Sequence, residues 1–259
     1  MSYKSILDYN KITGYSINIL IYDNSPYFQE YEEDEVNEII YIRDSSNSGV
    51  AKAYNKGLQI CIERKIPWIL LLDQDTILDE SFFKKTEQSL LENEGDSNIV
   101  CFIPKIFSRS GKMLSPMKLK KGGLVGSIKN MNFGIQCNNA TGLNSGTLLR
   151  VSYLRKIEGF NEQFGLDMLD HWLFREINKS GYVVFLTQAE IQHNLSVMNF
   201  EKEMSPDRYR NLLLSERIFL EGNSADVAVY KLRLLVRIFK YLFFKEKQFL
   251  VLTLKAVFQ

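Results

Sequence analysis

The sequence has few of the residues that build disulfide or zinc frameworks, and it has no excess of either charge. Its three cysteines in 259 residues, Cys61, Cys101 and Cys137, lie far apart without a CxxC pair. Their odd number and spacing argue against a disulfide framework and a zinc site, and favour reduced thiols in a cytosolic compartment. The 32 basic and 31 acidic residues nearly balance. No overall field therefore draws the chain to nucleic acid, and we expect no nucleic-acid partner.

A recognisable export signal is also lacking. The first ten residues, MSYKSILDYN, have neither a basic start followed by an apolar run nor a small-residue cleavage site. We therefore expect the protein to stay in the cytoplasm. The five prolines and fifteen glycines are scattered rather than massed in a linker. With 45% hydrophobic residues, the chain can bury a full core, which excludes disorder as its main state.

Short apolar runs rich in β-branched or aromatic residues predict five strands, at residues 17–23, 39–43, 68–73, 98–103 and 182–187. Apolar residues at helical spacing predict helices at 50–65 and 79–93. This alternation predicts an α/β fold, with a mostly parallel, Rossmann-like sheet flanked by helices. Ligands bind at the carboxyl ends of strands in such sheets. Asp23 and Asp73 lie at two of these ends.

The C-terminal part differs in composition. Residues 227–259 contain seven Lys or Arg against one Glu, interleaved with apolar residues. We therefore divide the chain into a domain of residues 1–225 and a basic amphipathic helical segment of residues 226–259. Charges interrupt every apolar run of the segment, so it is too polar to span a bilayer. It is either a helix packed on the domain or a helical pair on an anionic membrane surface, and we favour the membrane surface.

Two acidic residues, Asp73 and Asp75, follow the apolar run of the third predicted strand in the stretch LLLDQDTILD. Carboxylates one residue apart at the end of a buried strand repel each other and cost desolvation energy. In one interpretation, one of them caps the helix that begins near Asp79 and the other is solvated. In the other, both face a divalent cation, since Mg²⁺ and Mn²⁺ take oxygen ligands and bind through one or two carboxylates plus substrate phosphates.

Five segments occur in a fixed order: YDNS (22–25), NSGVAKAYNKG (47–57), DQD (73–75), NSGTLLR (144–150) and a long segment at 159–193. In that order they resemble the family 2 glycosyltransferases of the GT-A fold, and within them the bacterial rhamnosyltransferase-like group. The resemblance covers about residues 17–195. It implies an inverting transfer of a sugar from dTDP-rhamnose or a UDP-sugar to a glycan or polyprenyl-linked acceptor. It also implies Mg²⁺ or Mn²⁺ as cofactor, and polysaccharide synthesis at the inner face of the cell membrane.

The resemblance implies donor-binding roles for Asp23, Asn47, Gly49, Asn55 and Asp73. It implies that Asp75 ligates the metal, together with Asp73 and His193. Three of these positions have a purely structural alternative. Asn55 could be an ordinary helix position, Gly49 a tight turn, and His193 a satisfied structural histidine.

Asp170 is the predicted catalytic base. At 100° per residue it falls within the apolar arc of Leu169, Leu173, Phe174 and Ile177, so we expect it to face the protein or its cleft. The alternative is a first-turn carboxylate favoured by the helix dipole, with Asp167 as N-cap. The stretch LDMLDHW is similar to the family's D-x-x-D segment, whose second acid deprotonates the acceptor. The resemblance places Ser145, Gly146, Asp167 and Trp172 on the acceptor side.

One expected element is missing. The family opens with a strand ahead of a helix, whereas here only sixteen residues precede INILIYD, and residues 3–16 resemble that helix. Either the chain is truncated or another segment substitutes for the strand. Without a substitute, sheet edges would be unpaired. This departure motivates an alternative function, a non-catalytic sugar-nucleotide-binding or assembly subunit.

Overall fold

The structure, a computed structural model, describes residues 2–14, 16–31, 38–126, 128, 132–136, 140–192, 204–244 and 246–258. The strands of this part are β1 (Ile19–Asp23), β2 (Ile39–Arg43), β3 (Trp68–Leu71), β4 (Ile99–Phe107), β5 (Met113–Ser115), β6 (Met117–Lys120), β7 (Leu124–Gly126), β8 (Gly134–Gln136), β9 (Ala140–Thr141), β10 (Thr147–Arg150) and β11 (Val183–Gln192). The helices are α1 (Ser2–Thr13), α2 (Val50–Glu63), α3 (Glu80–Glu92), α4 (Val151–Lys156), α5 (Leu169–Lys179), α6 (Pro206–Leu220), α7 (Ser224–Tyr241) and α8 (Gln248–Phe258).

The strands form a central mixed sheet and two small sheets. The central sheet has the order β3-β10-β4-β11-β8, with β5 added to β4. Strands β3, β4 and β11 run in one direction, and β10 is inserted antiparallel between β3 and β4. All five predicted strands and both predicted helices are present. Strand β10 was not predicted, because TLLR is only four residues long and shows no alternation.

The parallel pair β1–β2 is separate from the central sheet. Strand β1 pairs with β2, and β3 pairs with β10. Among the described residues, neither β1 nor β3 has a strand partner on its other edge. Helix α2 packs on both strands, because Leu20 of β1 and Ile69 of β3 each come within 3.4 Å of the position that a Cβ would take at Gly57. No described segment pairs with both β1 and β3, so in the described part the two sheets meet through side-chain packing on α2 rather than through strand pairing.

The first helix forms as predicted and seals one side of the sheet. Tyr3, Ile6, Leu7 and Tyr9 of α1 are buried. The Tyr9 ring stacks on an α3 ring, that of Phe83, at 4.2 Å between centroids. The first turn of α1 is tied to the segment after β3, because the Ser2 amide donates to the Gln74 carbonyl at 3.1 Å. The helix therefore begins beside the two aspartates of that segment.

The C-terminal helices share a core with the sheet. Leu234 and Tyr241 of α7 and Phe249 of α8 are buried in the same apolar cluster as β4 and α5. A buried carboxylate, Glu216 of α6, accepts hydrogen bonds from Arg237 of α7 at 2.5 and 2.7 Å. Removing one partner of such a buried pair is strongly destabilising. The predicted helical extension is thus present, and the division between residues 225 and 226 stays a prediction.

None of the helices in the described ranges combines the length and hydropathy needed to cross a bilayer. Cys61 and Cys101 are buried free thiols. Cys137 lies outside the described residues.

Candidate active site

The turn after β3 carries the two aspartates, and a buried serine, Ser145, holds this turn through hydrogen bonds. The Ser145 hydroxyl accepts a hydrogen bond from the Asp73 amide at 3.3 Å and lies 2.5 Å from the Thr76 hydroxyl. The next residue, Gly146, donates its amide to the Leu71 carbonyl at 2.8 Å. A side chain at Gly146 would collide with Ile191, and its φ of 76° favours glycine. Ser145 and Gly146 therefore position the aspartate turn, and their predicted acceptor-side role stays a prediction.

The helix that follows this turn excludes one of the two interpretations of Asp73 and Asp75. Helix α3 is capped by Asp79, whose carboxylate accepts the Phe82 amide at 2.7 Å. The interpretation in which Asp73 or Asp75 caps this helix is therefore wrong. Asp73 is half-buried and Asp75 is exposed, so the pair lies where the β3 end meets solvent.

The aspartate pair suits a hard cation that shares its ligands with a substrate. Within the described ranges, no cluster of three or more His, Cys, Asp or Glu side chains could hold a metal alone. Mg²⁺ commonly binds through one or two carboxylates and completes its shell with substrate phosphates and water. The oxygens of Asp73 and Asp75 fit this kind of site. His193, the third predicted ligand, lies outside the described residues.

Asp23 ends β1 as predicted, and its carboxylate organises the following loop. It accepts the Ser25 amide at 2.9 Å and the Gln29 amide at 3.3 Å, and also the hydroxyls of Ser25 and Tyr41. Burial raises the pKa of Asp23, but these hydrogen bonds to the charged form outweigh it and lower the pKa to about 2. Four donors match the acceptor sites of a carboxylate, so a nucleotide that used this group would displace one of them.

A second acid, Asp44, organises the loop that leads to α2, and sequence reasoning missed it. Its carboxylate accepts the Ser46 amide at 3.1 Å and the Ser48 amide at 2.9 Å. The Ser46 hydroxyl also donates to this carboxylate at 2.5 Å, and this bond, followed by that of the Ser48 amide, lowers the pKa of Asp44. These hydrogen bonds hold Asn47, which is exposed, in a left-handed conformation with φ 49°. The stretch DSSNS after a strand is typical of an Asx turn, and this signal could have found Asp44.

The N-terminus of α2 meets the loop that precedes α5. Gly49 has φ 96°, and a Cβ there would lie 2.9 Å from the Gly165 carbonyl oxygen. The next amide, that of Val50, donates to this oxygen at 2.8 Å. The tight-turn alternative for Gly49 therefore has a clear physical cause, namely the close approach of two backbones. Its predicted donor contact stays a prediction.

Asn55 clamps the same loop one turn further along α2. Its side-chain nitrogen donates to the Phe160 carbonyl and to the Glu162 carboxylate, both at 2.9 Å. Its side-chain oxygen accepts the Phe160 amide at 2.7 Å. Asn55 is therefore more than an ordinary helix position, since its amide spans more than a hundred residues of sequence. In the structure, Asn55 of α2 contacts the loop before Asp170. Donor binding by Asn55 stays a prediction.

Tyr54 joins the two halves of the site. Burial, and then the negative charges of Asp73 and Asp170, raise the pKa of the Tyr54 hydroxyl. Helix α2 itself contacts both segments, since Ile69 of β3 lies 3.2 Å from the position that a Cβ would take at Gly57 and Asn55 bonds the Phe160 backbone. The structure thereby links β3 and the loop before α5, which lie about a hundred residues apart. Sequence reasoning treated Tyr54 as an apolar helix position, and no local signal marks it as part of a site.

Asp170 lies in the first turn of α5 with its side chain 19% exposed. The surrounding arc is buried as predicted, with Leu169 at 1% and Leu173 at 0% exposed. The Asp170 carboxylate accepts the His171 amide at 2.8 Å. The His171 ring lies 2.7 Å from the Thr141 hydroxyl. The first turn therefore presents a half-buried acid at the edge of the core.

Asp167 lies near Asp170 and is not the N-cap of α5. The N-cap of α5 is Met168, with φ 69° and no side-chain hydrogen bond to the helix, so the interpretation of Asp167 as N-cap is wrong. Burial raises the pKa of Asp167, the charge of Arg208 opposes this, and the charge of Asp170 adds to it. Trp172 packs against the core with its ring 6.3 Å from that of Phe164. The acceptor-side roles of Asp167 and Trp172 stay predictions.

Comparison with known proteins identifies the family. The family model described as Glycosyl transferase family 2 matches residues 2–158, more than half of the chain. The chain belongs to this family. This family 2 chain is similar to the curated dTDP-rhamnosyl transferase RfbF of Shigella flexneri, with 23% identity over 178 residues. The match covers 68% of the chain and 59% of the relative, so the chain spans less than two thirds of the relative's length.

A solved structure shows the same fold for the family 2 chain. The crystal structure of GalNAc-T7 with UDP, GalNAc and Mn²⁺ is similar with a TM-score of 0.50 and 10% identity, over 75% of this chain and 39% of that one. A crystal structure of S. aureus TarS 1-349 gives a TM-score of 0.46 and 11% identity, over 93% of this chain and 80% of that one. The predicted GT-A fold class is confirmed.

Proposed function

We propose that the chain is an inverting glycosyltransferase that moves a sugar from a nucleotide-diphosphate donor to an acceptor hydroxyl. The observation that carries the proposal is that one helix, α2, contacts both β3, which leads into the aspartate turn, and the loop that leads to Asp170. The carboxyl end of a strand is where ligands bind in α/β sheets. Two acids beside such a strand end and a third on a neighbouring helix suit a reaction in which one end of the site holds a diphosphate and the other removes a proton.

In this mechanism Asp170 is the general base. An acceptor hydroxyl gives its proton to a carboxylate oxygen of Asp170 as the hydroxyl oxygen attacks the anomeric carbon in line. The bond from that carbon to the donor phosphate breaks, and the nucleoside diphosphate leaves with the electron pair. Asp73 and Asp75 would hold Mg²⁺ or Mn²⁺, which supplies positive charge to the leaving diphosphate when bound.

The polar contacts of the site keep these two acids in place. Ser145, just before β10, holds the Asp73 turn, and Asn55 of α2 holds the loop before Asp170. Held groups need no reorganisation during the reaction, and fixed geometry contributes several kcal/mol to catalysis in general. Ser145 and Asn55 are thus positioning residues in the proposal.

The donor is proposed from the comparisons, and the acceptor from the family resemblance of the sequence. The name of the Shigella relative supports dTDP-rhamnose as donor. A UDP-sugar is the second candidate, because UDP is bound in the GalNAc-T7 structure. The acceptor in the proposal is a glycan or polyprenyl-linked sugar of bacterial surface polysaccharide synthesis.

An exposed apolar stripe supports a location at the inner face of the cell membrane. Leu232, Val236 and Phe239 of α7, and Phe243 just after its end, are 64%, 69%, 68% and 88% exposed. Their spacing places them on one helical face. Lys240 lies within the same stretch, and apolar faces with basic neighbours bind anionic membrane surfaces. Peripheral contact with the membrane would bring the site to a lipid-linked acceptor.

The unpaired edges of β1 and β3 in the described part favour a second candidate, a non-catalytic sugar-nucleotide-binding or assembly subunit. Turnover separates the two candidates. A panel of nucleotide sugars with Mn²⁺ is tested for binding by calorimetry and for metal-dependent donor hydrolysis or transfer. A wild-type chain that binds a donor without turning it over supports the subunit, and one that does neither contradicts the transferase.

Two substitutions test the assigned roles. Asp75→Ala is expected to lose metal-dependent donor binding, whereas Asp170→Asn is expected to keep donor binding and lose turnover. Asp8→Asn, an exposed aspartate on α1, is the matched control and should change neither. Equal Mn²⁺-dependent binding by wild type and Asp75→Ala would refute the metal role. Full turnover by Asp170→Asn would refute the base.

A further inference from the structure

Helices α6, α7 and α8 enclose a groove of about 500 Å³, whose lining contains none of the active-site residues described above. Each helix turns one face to it, as the spacing of the lining residues shows. The apolar part of the lining is Leu213, Leu214 and Leu220 of α6, Val227 and Tyr230 of α7, and Leu252 and Ala256 of α8. This volume is in the range of small-ligand sites.

The polar part of the lining is strongly biased to positive charge. Arg210 and Arg217 come from α6, Lys231 from α7 and Lys255 from α8, and among the described residues Glu221 is the one acid that lines the groove. All four cations are exposed. Arg210 pairs with Asp207 at 2.8 Å. Within the described ranges, the other three cations have no ion pair in the structure. Three helices thus place cations around an apolar floor.

This combination selects for one kind of ligand. A free phosphate would leave the apolar floor unused, and an uncharged apolar molecule would leave the cations without a counter-charge. An amphipathic anion satisfies both parts of the groove. The wall residue Leu214 is 53% exposed, and Leu232, next to Lys231, is 64% exposed, so an apolar chain that leaves the groove continues over apolar side chains.

We propose that the groove between α6, α7 and α8 binds a single anionic lipid, with its phosphate at Arg217, Lys231 and Lys255 and the first part of its chain on the apolar floor. The proposal goes beyond the transferase activity and is tested without it. Contact between the exposed stripe and a membrane surface would involve many lipids, whereas the groove is proposed to hold one.

The test is a calorimetric titration of the full chain with dihexanoyl phosphatidic acid, a lipid that stays monomeric in water. We expect saturation at one lipid per chain. Arg217→Gln/Lys255→Gln should bind about tenfold more weakly, because two contacts to the phosphate are lost. Lys112→Gln/Arg155→Gln removes the same charge from exposed positions outside the groove and should bind as the wild type does. Inorganic phosphate at the same concentration should not compete.

A second variant tests the floor without changing charge. Ala256→Leu fills part of the groove and should weaken binding by a similar factor. Hydrogen exchange of the wild type with lipid provides a measurement free of any folding defect, and it should show protection in residues 206–220 and 248–258. Equal weakening by both charge variants, full competition by inorganic phosphate, unchanged binding by Ala256→Leu, or no protection of these helices would each overturn the proposal.

Discussion

Replacing Asn55 by alanine separates two roles for this residue, donor contact and loop clamp. The substitution removes a side-chain amide that makes three hydrogen bonds to the loop before α5, two of them to the Phe160 backbone. Phe160 is 3% exposed, so water replaces these bonds poorly. A net hydrogen bond is worth about 0.5–1.5 kcal/mol, and an unsatisfied buried group costs more. The two bonds to Phe160 give an expected loss of about 2–3 kcal/mol in the free energy of unfolding.

Urea denaturation followed by circular dichroism measures this loss. Gln59→Ala is the control, because Gln59 is an exposed amide on the same helix whose hydrogen bonds, from Lys56 at 3.1 Å and to Glu63 at 2.8 Å, stay on the exposed surface of that helix. The control should change stability by less than about 0.5 kcal/mol. If Asn55 is a clamp, Asn55→Ala also lowers turnover more than donor affinity, since the loop carries Asp170. A variant with unchanged stability and a selectively weakened donor affinity would refute the clamp and support donor contact.

Other expected outcomes test the loops and the exposed stripe. Gly49→Ala should lower the free energy of unfolding by about 1–3 kcal/mol, because φ is positive and the added Cβ meets backbone, whereas Gly95→Ala, which meets nothing within 4 Å, should not. The pKa of Asp23 is lowered to about 2 in the folded state. The charged carboxylate therefore stabilises the fold above its unfolded pKa, and this contribution is lost as pH falls from about 4 to 2. Asp23→Asn should make the urea midpoint depend less on pH in this range. Phe239→Ser should weaken binding to phosphatidylglycerol vesicles about tenfold in a sedimentation assay, and equal weakening by Leu91→Ser, an exposed leucine on α3, would contradict a specific membrane face.

The parts of the fold that sequence reasoning predicted are those that leave a local periodic signal. Strand β4 is apolar over its first six residues, which are all buried, and α5 repeats its apolar residues at helical spacing. Strand β10 leaves no such signal, since only its position between β3 and β4 makes it a strand. Strands were therefore predictable where burial makes the sequence apolar. They were not predictable where only pairing with neighbouring strands makes a segment a strand.

The candidate site divides in the same way. Asp73, Asp75 and Asp170 were predicted because acids beside apolar runs stand out in a sequence. The contacts that hold them were not, because Asn55 and Phe160 are separated by 105 residues and Ser145 and Asp73 by 72. Such contacts depend on tertiary structure, and no spacing rule contains them. Asp44 is the exception, since its turn is local and has a recognisable pattern.

The open sheet edges bear unequally on the two ends of the site. The contacts that hold the Asp73 turn and the loop before Asp170 come from α2, the residues just before β10 and the loop itself, and none of them uses the unpaired edge of β1 or β3. Asp23, in contrast, stands at the end of β1, which in the described part is hydrogen-bonded on one side only. A strand pair held by one neighbour and by side-chain packing opens more readily than a strand paired on both sides. The proposed chemistry at Asp170 therefore depends little on the unpaired edges of the described strands, whereas the donor end at Asp23 depends on whatever covers the edge of β1.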